Sequence, residues 1–224
     1  MASGRSTFSS ASDSRILINV VVSSPYKAVE NQLPRSFQPP LPHRKPATAS
    51  ISCCSSTSPS STSVEVPPDG YRRNVGICLI NRSKQIFAAL RLNIPNAWQM
   101  PQGGIDEGEI PRDAVMRELR EETGVYNVEV IAEVPYWLTY NFPPDVRKKL
   151  NRRWRSDWKG QAQKWFLLRF TGKEDEINLL GDGTEKAEFR AWSWMSPEQV
   201  VELAVDFKKP VYKEVLSAFA EYLE

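Results

Sequence analysis

The sequence predicts an α/β domain over residues 64–224, preceded by a segment of different character. Three observations lead there. Five β-branched or aromatic-rich runs bounded by turn residues can supply one mixed sheet. Three stretches carry helix signals. All seven Trp lie after residue 64, which places the packed core in that part of the chain.

Residues 1–63 hold 17 Ser, seven Pro, six Lys or Arg and two acids, Asp13 and Glu30, a composition that cannot bury a core. The formal charge of the whole 224-residue chain is +2. That sign comes from this leader, because residues 64–224 carry 23 basic and 25 acidic side chains. A Ser-rich, acid-poor start with no continuous apolar region reads as a disordered organelle transit peptide and linker. High Ser and Pro, modest Arg and the stretch Ile51-Ser52-Cys53-Cys54 favour a plastid, so the mature protein is expected in the chloroplast stroma. No apolar run approaches the roughly 20 residues of a spanning helix, and no membrane partner is expected.

Along the domain, strands are expected at Asn74–Ile80, Ile86–Leu90, Val128–Val134, Gln163–Phe170 and Phe189–Met195. Between the second and third, Gly103–Pro111 reads as a glycine-rich loop opening a helix. Pro111 suits the first helical position, Asp113 the first turn and Gly124 the left-handed stop. Val146–Arg155, with Arg147, Lys148, Lys149, Arg152, Arg153 and Arg155, reads as a solvated basic surface loop or as a patch gripping polyphosphate or RNA. Ser196-Pro197-Glu198 marks another helix start. Pro210–Leu223 repeats Val211, Val215, Phe219 and Leu223 every fourth residue, as a helix packed along one face does. Trp165 is assigned to the core.

Cys78 stands alone in an apolar run, which excludes a disulfide framework within the domain. The only histidine, His43, is in the leader, so the domain has no imidazole base and no His metal ligand. Carboxylates remain. At about 3.6 residues per turn, Glu118, Glu121 and Glu122 share a helix face, while Val115 and Leu119 turn toward a core. Like charges at this spacing destabilise a helix unless a cation offsets them. A hard divalent ion such as Mg²⁺, completed by phosphate oxygens, suits such a patch. Helix periodicity also fits an acidic face paired with Arg117 and Arg120.

The wider spacing decides between these. Gly103, five residues, Glu109, seven residues, then Arg117-Glu118-Leu119-Arg120-Glu121-Glu122-Thr123-Gly124-Val125 matches the box of the Nudix hydrolases, which this chain resembles across residues 103–125. The resemblance implies a Nudix fold, an α/β/α sandwich around a mixed sheet, and hydrolysis of a nucleoside diphosphate linked to another group. It implies Mg²⁺ or Mn²⁺ held by Glu118, Glu121, Glu122 and Glu188. Glu121, Glu122 and Glu188 are then the candidate catalytic groups, and Gly103, Glu109, Arg117 and Gly124 the supporting box residues.

Further pieces resemble the asymmetrical diadenosine tetraphosphate hydrolases of plants and bacteria and the bacterial RNA 5′-pyrophosphohydrolases. They are Gly70-Tyr71-Arg72, Trp98–Gly104, Trp137–Tyr140, Gly160–Phe166, Glu188-Phe189 and Phe207–Tyr212. This similarity implies a monomer acting on a dinucleoside polyphosphate, chiefly diadenosine tetraphosphate to ATP and AMP, with ppGpp and longer homologues as further substrates. An RNA 5′ end is the alternative, and a nucleotide-sensing module without turnover is a third reading. Arg72, Arg91 and Lys164 are expected to meet phosphates, and Tyr140 and Phe207 to stack a purine between them. Arg73 stands where the group has Pro.

Overall fold

The structure, a computed structural model, describes residues 66–224; the transit-peptide reading of residues 1–63 lies outside the described residues. The element order is β1 (Tyr71–Ile80), β2 (Ile86–Arg91), β3 (Trp98–Gln99), β4 (Gln102–Gly104), α1 (Pro111–Thr123), β5 (Val128–Glu133), β6 (Leu138–Asn141), α2 (Pro144–Trp154), β7 (Gly160–Phe170), β8 (Phe189–Met195), α3 (Pro197–Leu203), α4 (Lys209–Ala218) and α5 (Ala220–Leu223).

β1 and β7 are the long central pair, parallel from Tyr71 opposite Gly160 to Ile80 opposite Arg169. Their near-continuous burial is what a strand covered on both faces requires. Every other pairing is antiparallel, giving the expected mixed sheet. Along its outer edge β1 is paired first by β4 and then by β2; β7 is paired first by β6 and then by β5. The sheet therefore forks at the N-terminal ends of β1 and β7, with β4 on one flank and β6 on the other.

A helical layer covers each face, completing the α/β/α sandwich. On one face Ala114, Val115 and Leu119 of α1 pack with Val75, Ile77, Leu79, Phe166 and Leu168. On the other, Val200 of α3 and Val211, Tyr212 and Val215 of α4 pack with Met100, Trp165 and Leu167. Trp165 is fully buried, edge-on to Tyr212 with centroids 5.6 Å apart. Among the described residues no helix is long and apolar enough to cross a membrane.

Three expectations are corrected. The basic stretch is not a loop but helix α2, with Pro144 in its first turn and Arg155 in the left-handed conformation at its end. Val146, Leu150 and Trp154, four apart, lie partly buried against the core, and this stripe holds the helix while Lys148, Lys149, Arg152 and Arg153 are exposed and Arg147 binds the Trp158 carbonyl and Asp157. The glycine-rich loop begins inside a strand, since Val75 pairs with Gly103 and Asn74 with Gly104. The last helix is interrupted at Phe219, which leaves helical geometry with φ −102° and ψ 10° while its side chain stays in the core.

Candidate active site

α1 starts at Pro111 and stops at Gly124, whose φ of 66° lets its N–H donate back to the Arg120 carbonyl. Between these ends the helix presents its carboxylates to β4. Glu118 lies directly over Gly103, where a Cβ would fall 1.8 Å from the Glu118 carboxyl carbon. Only glycine admits that approach.

Arg117 organises the turn. Its Nε and Nη2 donate to the two oxygens of Glu109 at 2.9 and 2.8 Å, and Nη2 also donates to the Gly104 carbonyl at 2.8 Å. Its Nη1 donates to Glu118 at 2.9 Å and Glu121 at 3.0 Å. Glu109 in turn accepts from the Asp106 N–H. One guanidinium thus ties the loop, the strand and the helix together, and the bond from Arg117 holds the Glu109 carboxyl below the usual carboxylate range. Arg120 is directed elsewhere, pairing with Asp182 at 3.2 Å.

Glu122 is buried and accepts from the Gln102 N–H at 3.0 Å. Burial, then the charges of Glu188 and Glu118, push its carboxyl well above the ordinary value. Burial likewise raises Glu118 to about 7, against the opposing pull of Arg117. Glu188 reaches the same neighbourhood from the residue before β8. There it pairs with Arg91, which a register shift at Leu90 and Arg91 turns toward it and which also lies over Phe189.

Among the described residues no group of three or more carboxylate, histidine or cysteine side chains is arranged as a metal cage. The expected convergence of Glu118, Glu121 and Glu122 is instead divided: Arg117 grips the first two and the Gln102 N–H holds the third. The donor chemistry still fits a hard divalent cation. Glu118 and Glu122 are oxygen donors whose charge is costly where it stands, and a bound cation offsets that cost.

The other expected substrate residues divide between the two faces of the sheet. Lys164 shares the row of Val75 and Gly103, two strands from Gly103 or about 10 Å away, on the α1 face. Its Nζ donates to the Pro135 carbonyl at 2.7 Å and lies 5.6 Å from the centre of the Trp137 ring, with Arg73 also over that ring. Arg73 therefore points its charge at an aromatic face. On the opposite side lie Arg72, Tyr140 and Phe207. Tyr140 is buried, with its hydroxyl donating to Gln161, and touches Phe207 at 5.6 Å between centroids. A purine cannot lie between two rings already in contact, so the expected slot is corrected. The outer side of Phe207 lines an open groove of about 720 Å³ with Pro95, Ala97, Pro143, Leu203 and Val205.

Sequence reasoning missed Lys208. It is buried, and its Nζ donates to Gln99 at 2.6 Å and Gln102 at 2.8 Å. Burial lowers its pKa to about 7, with Arg91 acting in the same direction and Glu122 and Glu188 opposing. Its position next to Phe207 was the available signal. Gln102 was missed too, although its N–H holds Glu122 and its side chain meets Lys208 and Gln161.

The profile of the NUDIX domain matches residues 70–217. The chain belongs to the Nudix family. Nudix hydrolase 26, chloroplastic, of Arabidopsis thaliana is 70% identical over 178 residues, covering 80% of this chain and 79% of that protein. The RNA pyrophosphohydrolase of Cereibacter sphaeroides strain ATCC 17029 is 51% identical over 156 residues, covering 68% of this chain and 93% of that one. Among solved structures, the E. coli dihydroneopterin triphosphate pyrophosphohydrolase shares the Nudix fold, with a TM-score of 0.52 at 18% identity, over 64% of this chain and 95% of that one.

Proposed function

We propose that this chain is a hydrolase of dinucleoside polyphosphates, cleaving diadenosine tetraphosphate asymmetrically to ATP and AMP, and acting also on ppGpp and longer homologues. The observation that carries the reading is the placement of Glu118 over Gly103 and of Glu122 on the Gln102 N–H, with Lys208 on the Gln102 side chain and its neighbour Phe207 lining an open groove. Acidic groups for a metal thus adjoin cations for phosphates and an aromatic face for a base. Membership of the Nudix family supports the reaction class.

Hydrolysis adds water across one phosphoanhydride: the water oxygen bonds to phosphorus, the bridging oxygen leaves with the other nucleotide, and the water proton passes to a base. With no histidine in the domain, Glu121, Glu122 and Glu188 are the candidates for that base. Glu118, Glu121, Glu122 and Glu188 would hold Mg²⁺ or Mn²⁺, which when bound would supply charge neutralisation for the polyphosphate. Arg72, Arg91 and Lys208 orient phosphate oxygens, with Lys164 beyond them, and the outer face of Phe207 stacks one base.

A second reading, RNA 5′-pyrophosphohydrolase, is favoured by the similarity to the Cereibacter protein and by the cations on α2. Offering the full chain diadenosine tetraphosphate and 5′-triphosphorylated RNA together with Mg²⁺ separates the two. ATP and AMP well ahead of RNA-derived pyrophosphate support the first; the reverse order supports the second, and no product from either overturns both. The chloroplast as destination, with residues 1–63 as the transit segment, is supported by the similarity to a protein named chloroplastic, and residues 64–224 are proposed to act as a monomeric catalytic domain. Import into isolated chloroplasts with shortening of the chain tests it.

A further inference from the structure

Two arginines flank Gly104, and they differ in one respect. Arg117 is fully engaged, binding Glu109, Glu118, Glu121 and the Gly104 carbonyl. Arg72, at the start of β1, forms no hydrogen bond or ion pair among the described residues; what holds it is packing. Its guanidinium carbon lies 4.7 Å from the centre of the Trp154 ring. Its nearer terminal nitrogen also crowds Gly104, where a Cβ would fall 2.1 Å from it. A guanidinium held by packing alone keeps its N–H donors for another partner, and those donors match the oxygens of a phosphate. Gly104 adjoins Gly103, over which Glu118 lies, so Arg72 sits beside the carboxylate site, and Glu118 and Asp106 act on its charge.

Trp154 is itself well placed to hold a position. It is the last residue of α2, followed by Arg155 at φ 52°, and it packs on Phe142 at 6.1 Å, which meets Tyr140 at 5.8 Å. The chain Tyr140, Phe142, Trp154, Arg72 thus runs from the sheet through α2 and back to the box loop. β1 is anchored beside it by Tyr71, whose hydroxyl donates to Asn141 at 2.8 Å.

We propose that Trp154 is a positioning residue that, together with the bare backbone of Gly104, presents the Arg72 guanidinium as a phosphate receptor, so that α2 is part of the active site. The inference rests on the reading of this site as one that takes a polyphosphate. A stacked guanidinium is worth about 0.5–2 kcal/mol at such a site, which sets the size of the effect expected.

The test uses the full chain and the variants Trp154→Leu, Trp154→Phe, Arg72→Ala and the Trp154→Leu/Arg72→Ala pair. Inorganic tripolyphosphate is titrated calorimetrically, and KM and kcat are measured for diadenosine tetraphosphate. Trp154→Leu should weaken tripolyphosphate binding and raise KM by roughly 2- to 30-fold while changing kcat less. Trp154→Phe should restore most of the loss, and in the Arg72→Ala background Trp154→Leu should cost nothing further. The Arg72 Nε–H resonance should be displaced by the indole ring current in the wild type and return to the ordinary range in Trp154→Leu. An undisplaced resonance, or an equal penalty for Trp154→Leu with and without Arg72, overturns the proposal. If neither diadenosine tetraphosphate nor triphosphorylated RNA is turned over, the hydrolase reading fails; the resonance and the tripolyphosphate titration then decide the proposal by themselves.

Discussion

Two buried charges of opposite sign define the site's energetics. Glu122 and Lys208 each stand where burial penalises the charged form, and Gln102 touches both, Glu122 through its N–H and Lys208 through its side-chain oxygen. Replacing Glu122 by Gln removes a proposed metal ligand and a desolvated charge at once. Turnover should fall on the order of 100-fold or more, while the melting temperature of metal-free protein stays level or rises. Near wild-type turnover would remove Glu122 from the proposed metal site.

Lys208 has a definite pH signature. Its folded pKa of about 7 lies below the ordinary 10.5, so between those values the unfolded chain binds a proton that the folded chain does not. The residue's contribution to stability is therefore lost as pH falls from 10.5 toward 7. Lys208→Met should flatten the melting temperature against pH across that window and raise it at pH 7, by roughly 2–4 °C for each kcal/mol recovered. The same substitution should lower kcat/KM about 10- to 100-fold, the usual cost of a lost charged hydrogen bond. An unchanged pH slope would show that Lys208 titrates normally.

At the scale of elements, α1 depends on both of its ends. Gly124 occupies left-handed space, and a Cβ there would also press on Asn178 at 3.2 Å. Gly124→Ala should cost about 1–2 kcal/mol, read as a melting temperature lower by several degrees. α1 was legible because Pro111, Asp113 and Gly124 mark its ends and Val115 and Leu119 its buried face. α2 was obscured by its charges. Arg147, Lys148, Lys149, Arg152 and Arg153 dominate its composition, and only the stripe Val146, Leu150, Trp154 carries the helical period. The two-residue β3 and three-residue β4 are too short to show any period, and they exist because β2 and β1 offer them open edges.

Across the whole molecule, Cys78 reports the integrity of the sandwich. It lies fully buried in β1, paired with Leu167 across the central parallel ladder, and burial pushes its thiol up to about 12. In the folded full chain the Cys78 peptide should remain unalkylated by iodoacetamide at pH 8, and become labelled only across the global urea transition. Labelling in native buffer would show that the sheet opens locally at its centre.

The sequence by itself determined the class of fold, the five longer strands, the ends of α1 and the carboxylates that the box assembles on one helical face. Each of these depends on spacing within a short stretch of chain, which the order of residues carries directly. Only the tertiary structure decided where those side chains turn. It closed Tyr140 against Phe207 and sent Lys164 to Pro135 and Trp137. It also buried Lys208 beside Gln102, 106 positions away, and laid Trp154 of α2 over Arg72 of β1. These contacts join residues distant in the chain, and they are set by which strands pair and which layer covers them.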